Sequence, residues 1–378
     1  MNDFAVFEIQ KTVRRILYTA AARNRLAHAY LFYGLEGTGK WAAAVEAAKL
    51  LMCPETLSAD DHTCDVCRRI TAYNHPDVHW VIPGSAKEKP ASGADAVDRD
   101  GQTTAQLDEQ QRTFAIKRAD PWASLEYPRR PYITMAKVRA LQSILARTPA
   151  EGPRKIGIII NAENMRPDAQ SVLLKTIEEP PPDSFILITT SSKSTLLPTI
   201  LSRCQPMRFV PLPLELIRDR LIAETGITES AARRAAELSG GGWARARRLA
   251  DEEWQVWFAA ADKLLKTAIS GSVDDVILVI DTVFKQRPDL SKVLFFFELW
   301  YSMLHRAGTA PASLSPNTPG DHGSLAAIHE SCAILDQART AVIGNVTPRT
   351  AIAAALLEVH ELLRTDDQAV LFGSRDES

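Results

Sequence analysis

The stretch YGLEGTGKWAA, Tyr33–Ala43, decides how the chain is read. Gly34, Gly39 and Lys40 satisfy the phosphate-binding pattern G-x-x-x-x-G-K-[ST] up to its last position, where Trp41 replaces the hydroxyl residue. In a working loop of this kind, successive backbone N–H groups and the start of the next helix hold the phosphates. The lysine adds a point charge, and the Ser or Thr hydroxyl binds Mg2+. Here Gly34, Gly37, Gly39 and Lys40 supply the cradle, while Trp41 has no oxygen to offer a metal. A tight glycine turn is the plain alternative, and context decides against it. AYLFYG (29–34) reads as a buried parallel strand and KWAAAVEAAKLLMC (40–53) as a helix, the setting that such a loop requires.

Working outward, VHWVI (78–82), KIGIII (155–160) and FILITT (185–190) read as further strands. Helices between them make an α/β domain with a parallel sheet. Residues 8–27 read as a helix with Ile9, Val13, Ile16 and Leu17 on one face. Residues 83 to about 131 are polar, rich in Ala, Asp, Gly and Pro and without steady periodicity, so they read as a mobile insertion with no assigned chemistry. From about 213 onward amphipathic helices replace strands, interrupted by a loop at 309–324 and closed by a frayed tail, GSRDES.

A second metal ligand is expected at the end of a buried strand, as Asp followed by Glu. The best candidate is KIGIIINAENM, where Asn161 and Ala162 hold those places. Asn161 carries no charge and Ala162 polarises nothing. Glu163 is adjacent, but strand alternation sends neighbouring side chains to opposite faces. The expectation is a nucleotide fold with no Mg2+ site of its own and no intrinsic ATPase. Passive ATP binding by Lys40 and the glycines stays open.

The 378 residues suggest two or three domains, and 46% hydrophobic with 24% charged residues is globular composition. A net charge of −2 argues against a generally basic nucleic-acid coat. No run of about 18 apolar residues suggests a membrane span. The start, MNDFAVFEIQKTVRR, has Asp3 and no apolar core, so it does not read as a signal peptide. Five cysteines without an export signal suggest a reducing, cytoplasmic setting.

Four stretches carry a resemblance: HAYLFYGLEGTGK (28–40), NHPDVHWV (74–81), INAENMRPDAQSVLLKTIEEPPPDSFILITT (160–190) and LPTILSRCQPMRF (197–209). Together they are similar to the clamp-loader branch of the AAA+ proteins and, within it, the delta-prime subunit family of bacterial DNA polymerase III. The resemblance implies an AAA+ (RecA-like) ATPase-like domain over 1–208, a helical lid over 209–254 and an all-α collar domain over 255–378. It implies a non-hydrolysing member of a hetero-pentamer that loads the sliding clamp onto primed DNA. The implied partners are DnaX-type gamma/tau ATPase subunits, a delta subunit, the clamp and primer-template DNA, with no membrane. Two readings compete with it: an active clamp-loader ATPase of the gamma/tau type, and a small-molecule enzyme such as a kinase. An intact Mg2+ set would mark the first and a second substrate site the other.

The resemblance also assigns residues. Ser202, Arg203 and Cys204 match the family's Ser-Arg-Cys motif, which implies that Arg203 acts in trans as an arginine finger at a neighbour's ATP site. Its always-charged planar fork suits two phosphate oxygens, and a surface or domain-boundary salt bridge is the alternative. In SGGGWARARRL, Arg245 is the nearest match to a lid arginine, with Arg247 and Arg248 confusing the register. CPETLSADDHTCDVC places Cys53, Cys64 and Cys67 on three of the family's four zinc positions. The remaining position falls on Asp61, next to His62, and either can ligate Zn2+; decay to free thiols is the alternative. The glutamates of KTIEEPPPD precede Pro180–Pro182, which end the helix, so they read as a structural turn. Cys332 reads as a core residue of a late helix.

Overall fold

The computed structural model describes residues 6–53, 64–84, 104–123, 125, 127, 131–285, 288–309, 325–344 and 346–372. They form two compact units, Met1–Ile217 with Gly241–Arg245, and Arg218–Gly240 with Ala246–Ser378.

In the first unit the chain runs α1 (Val6–Ile9), α2 (Lys11–Ala22), β1 (Ala29–Tyr33), α3 (Lys40–Met52), α4 (Asp65–Thr71) and β2 (Val78–Val81). It continues through α5 (Thr104–Ala119), α6 (Met135–Leu145), β3 (Lys155–Ile159), α7 (Pro167–Glu178), β4 (Ser184–Thr190), α8 (Pro198–Leu201) and β5 (Gln205–Arg208). The five strands are all parallel, in the order β2–β3–β4–β1–β5. An all-parallel sheet is what the sequence leads one to expect. Strand runs such as KIGII are buried throughout because helices cover both faces of a parallel sheet. Leu31, Ile159, Ile186 and Ile188 pack with Val138, Leu141, Leu173 and Ile177 of α6 and α7 in one core.

β5 lies outside the expected strands. Its sequence is QPMR, and only Met207 is buried. An edge strand tolerates Pro206, since one row of its N–H groups has no ladder to join. The expected apolar face of the first helix is narrower than the sequence suggests: Val13 and Leu17 are buried, whereas Ile16 is 36% exposed. The insertion also differs from expectation. Residues 85–103 lie outside the described residues, but Thr104–Ala119 is helical. Its anchoring side chains are Thr113, Phe114 and Lys117. Two of these three are polar, so no apolar stripe advertises the helix.

The HPD segment fixes the approach to β3. Asp77 is fully buried and accepts from the backbone N–H groups of Ala150, Glu151 and Gly152 at 2.6, 2.9 and 2.8 Å. Burial alone would raise its pKa, but these three donors override it and hold the carboxyl below its ordinary value.

The remaining helices are α9 (Leu214–Thr225), α10 (Glu229–Ser239), α11 (Trp243–Ala250), α12 (Glu252–Ser270), α13 (Val273–Phe284), α14 (Leu290–Thr309), α15 (Leu325–Ile343) and α16 (Pro348–Phe372). In the second unit α12 packs against α13, α14 and α16. Trp254, Trp257, Phe295, Phe296 and Trp300 line its interior, and the Trp300 indole donates to the Ala261 carbonyl at 2.8 Å. Ser272 and Asp275 cap the start of α13 reciprocally. Residues 310–324, most of the expected loop, and the tail GSRDES lie outside the described residues. Among the described residues no helix is long and apolar enough to cross a membrane.

Asp77→Ala removes the buried acceptor that three backbone N–H groups share. Chemical denaturation of the full chain is expected to show a loss of about 2–4 kcal/mol. A loss well under about 1 kcal/mol would mean that this carboxylate does not hold the loop.

Candidate functional site

The phosphate-type loop leaves the C-terminal end of β1, between β4 and β5, where parallel sheets present their ligand crevice. Gly37 and Gly39 adopt left-handed backbone with φ of +77° and +89°, and Gly39 caps α3. A Cβ at Gly37 would sit 2.5 Å from the backbone nitrogen of Ala244, and the Trp243 N–H donates to the Gly37 carbonyl. A brace that sequence reasoning missed comes from Gln10. Its amide donates to the carbonyls of Val210 and Thr38 at 2.8 and 3.3 Å and accepts from the Val210 N–H at 2.9 Å. One glutamine in a helical segment gives no sequence signal for such a long-range tie.

Lys40 is buried, and its ammonium turns back onto the loop. Its Nζ donates to the carbonyl oxygens of Gly34 and Leu35 at 2.7 and 2.6 Å. Burial lowers its pKa to about 8 against the opposing charges of Glu163 and Glu36. The strand-alternation expectation for Glu163 fails for a local reason. β3 ends at Ile159, Asn161 has φ +51°, and Ala162–Asn164 forms a 3-10 turn, so the chain is no longer extended there. The Glu163 carboxylate accepts from the Ser191 hydroxyl at 2.5 Å, and its charge reaches Lys40. Asn161 lines the cleft and Ala162 is buried without exposure.

Trp41 points into an aromatic cluster. It stacks on Trp80 with ring centres 5.3 Å apart and planes 17° apart, and its indole N–H donates to the Tyr73 hydroxyl at 3.0 Å. Tyr73 in turn stacks on Phe114 of α5 at 4.8 Å. Lys117, also on α5, lies over the Trp41 ring at 5.0 Å and donates to the carbonyls of Pro121 and Ala123 at 3.2 and 2.6 Å. Burial lowers its pKa to about 8 as well, and the charge of Lys40 adds to that shift.

Arg203 follows the short helix α8. Its guanidinium bonds the Thr199 carbonyl at 3.1 Å and pairs with Glu178, at the end of α7, at 3.0 Å. The two side chains are 41% and 40% exposed. α7 ends at Glu178, before the prolines, as its sequence leads one to expect. Ser202 donates to Thr199, and Cys204 is buried in the sheet core, where its pKa is pushed up to about 12. Cys204 is therefore an anchor with an inert thiol. On α11, Arg245 is half-buried, Arg247 is exposed and Arg248 lies over Trp254 at 5.6 Å.

Cys53 at the end of α3, Cys64 at the start of α4 and Cys67 within it bring three Sγ atoms within 4.8 Å of one another. Cys53 and Cys64 are 3.5 Å apart. Sulfurs at about 2.3 Å from one tetrahedral zinc would be roughly 3.8 Å apart, so the three thiols fit that ion. Asp61 and His62, the candidate fourth ligands, lie outside the described residues. Cys332 is half-buried on α15.

A profile of the family described as "DNA polymerase III, delta subunit" matches residues 9–213. The chain is 34% identical to the DNA polymerase III subunit delta' of Bacillus subtilis over 57% of its own length and 52% of that protein. It is 31% identical to the subunit delta' of Pseudomonas aeruginosa over 50% of its length and 45% of that protein. The match thus spans about half the length of these relatives. A gamma/tau subunit of Mycoplasma pneumoniae is 26% identical over 58% of this chain and 26% of that protein. Among solved structures, a gamma subunit-related protein of Thermotoga maritima aligns over 92% of this chain and 99% of its own, at 16% identity and a TM-score of 0.41.

The two buried lysines give the cleft a pH signature. In the unfolded chain a lysine keeps its proton to about 10.4, against about 8 for Lys40 and Lys117 when folded. Between those values the unfolded state binds more protons, so folding stability rises with pH. Cys67 and Cys204, raised by burial, oppose this as free thiols begin to ionise. Lys117→Met is therefore expected to show a smaller gain, or a larger loss, in melting temperature than the wild type between about pH 8 and 9.5. Superimposable profiles would contradict the assignment.

Proposed function

The chain belongs to the DNA polymerase III delta-subunit family, and from that premise we propose that it is a delta-prime-type subunit of the clamp loader that hydrolyses no ATP itself and lends Arg203 to a neighbouring ATPase subunit. In this reading it takes its place in a hetero-pentamer with gamma/tau-type subunits and a delta subunit, working in the cytoplasm on the sliding clamp and primer-template DNA. Residues 1–208 serve as the ATPase-like domain, 209–254 as the lid and 255–378 as the collar. The lid arginine keeps Arg245 as its nearest match.

The observation that carries the reading is a contrast between two cations. Lys40, the residue that would meet a nucleotide's phosphates, is turned onto the loop's own carbonyls. Arg203 instead stands on the surface in an ion pair with Glu178. Exposed pairs of that kind contribute about 0.2–1 kcal/mol, so a phosphate can take the place of Glu178 at little cost. The guanidinium is held in advance by Thr199, and its planar fork suits the charge that develops on a transferred phosphoryl group. The alternative, an active ATPase of the gamma/tau type, lacks support: Trp41 offers no hydroxyl and Asn161 no charge where magnesium would be held.

The arginine role is checked in the reconstituted loader. Arg203→Ala is expected to lower turnover at the adjoining site by about tenfold or more without preventing assembly, and Arg203→Lys to restore little of it. The isolated chain should show no turnover. Wild-type ATPase activity in a fully assembled Arg203→Ala complex would overturn this role.

A structural zinc ion on Cys53, Cys64 and Cys67, with Asp61 or His62 as fourth ligand, completes the proposal. When bound it would cross-link the end of α3 to α4 and take no part in phosphate chemistry. Elemental analysis of chain purified without chelator is expected to give one zinc per chain, and Cys64→Ser to lose the metal and lower the melting temperature. Metal-free chain with three thiols fully reactive would count against the site.

A further inference from the structure

The polar insertion, to which the sequence assigns no chemistry, passes through the phosphate-type cleft. We propose that its Phe114–Ala123 segment is an internal occupant of that cleft, anchored by Lys117 on Trp41 and by Trp122 on Gly39, and that it keeps nucleotides out of this chain. The proposal refines the non-hydrolysing reading and is independent of Arg203.

Three observations converge on it. The first is steric. Trp122 is 3% exposed, and a Cβ built on Gly39 would meet its ring at 2.5 Å, so the indole lies directly on the glycine that must face a phosphate. The space left among Gly37, Lys40, Lys117, Trp122 and Asn161 is about 60 Å³. Pockets for ligands of this size run to roughly 300 Å³ and more, so no nucleotide enters unless the segment moves.

The second is electrostatic. Each ammonium in the cleft already has two backbone oxygens: Gly34 and Leu35 for Lys40, Pro121 and Ala123 for Lys117. A nucleotide would have to replace these short bonds, and the insertion supplies two of the four acceptors. Two of the three N–H donors of each ammonium are thus already engaged before any anion arrives.

The third is the attachment of the segment behind the cleft. Phe114 stacks on Tyr73, the Tyr73 hydroxyl donates to the Lys117 carbonyl at 3.4 Å, and Arg118 donates to the Ala72 carbonyl at 3.2 Å. These contacts hold the end of α5 to the turn after α4, so Trp122 is delivered by a fixed element. The same Trp41 that removes the metal-binding hydroxyl is the ring on which Lys117 rests.

The test uses the full chain, acetylation of Lys40 by an N-hydroxysuccinimide ester read by peptide mass spectrometry, and fluorescent mant-ATP with Mg2+. Wild type is expected to acetylate slowly at Lys40, with no effect of millimolar ATP, and to give no saturable mant-ATP signal. Trp122→Ala, with its fold verified by circular dichroism, should acetylate at Lys40 about tenfold faster, and ATP should slow that reaction. Saturable mant-ATP binding by the wild type would overturn the proposal. So would a folded Trp122→Ala chain whose Lys40 stays as protected as before, or opens without any effect of ATP. If that variant does not fold, hydrogen exchange on the wild type decides. The backbone of 37–41 and 114–123 should then be protected together and be indifferent to ATP. Rapid exchange across 114–123 would refute an anchored occupant.

Discussion

A buried ammonium must be met by oxygen, and at the mouth of this parallel sheet there are two of them. In a nucleotide-binding chain the phosphates and water supply those oxygens. Here the backbone does, through Gly34 and Leu35 for Lys40 and through the turn after α5 for Lys117. The surroundings follow from that arrangement: the loop curls toward its own lysine, the insertion turns back toward the glycines, and aromatic rings fill the space behind. Both lysines remain cations at neutral pH, though burial makes each easier to deprotonate than in water.

The opposite situation holds at Arg203, which is half in solvent and paired with a carboxylate on an adjacent helix end. An exposed pair is weak, and an arginine in one is available for exchange. The contrast separates the two basic groups that matter most in this unit. One is committed to internal structure, and the other stays on the surface at the C-terminal end of a helix packed on the sheet.

Much of this was legible in the residues. The strand runs AYLFY, VHWV, KIGII and SFILITT are rich in apolar residues because both faces of the sheet are covered, so four of five strands stand out. The fifth, QPMR, buries one side chain at an edge and gives no such signal. The three cysteines meet as the resemblance implies, and a helix start at Cys64 brings Cys67 onto the same side. What the sequence concealed was long-range and polar. Gln10 bridges 200 positions to Val210, and a helix in a stretch without periodicity is anchored by a lysine and a threonine. The alternation rule misplaced Glu163 because the chain leaves the strand at a left-handed Asn161. Such features depend on partners far away along the chain, which no local pattern encodes.

The packing of Trp41 constrains what else can stand at that position. Its ring touches Trp80, Tyr73 and Lys117, so restoring a threonine at that position would open a hole where an indole now sits. Emptying a core tryptophan site costs about 3–5 kcal/mol, a large part of the margin by which most domains are folded. A hydroxyl residue at this position would therefore need several simultaneous changes among the surrounding rings, not one substitution.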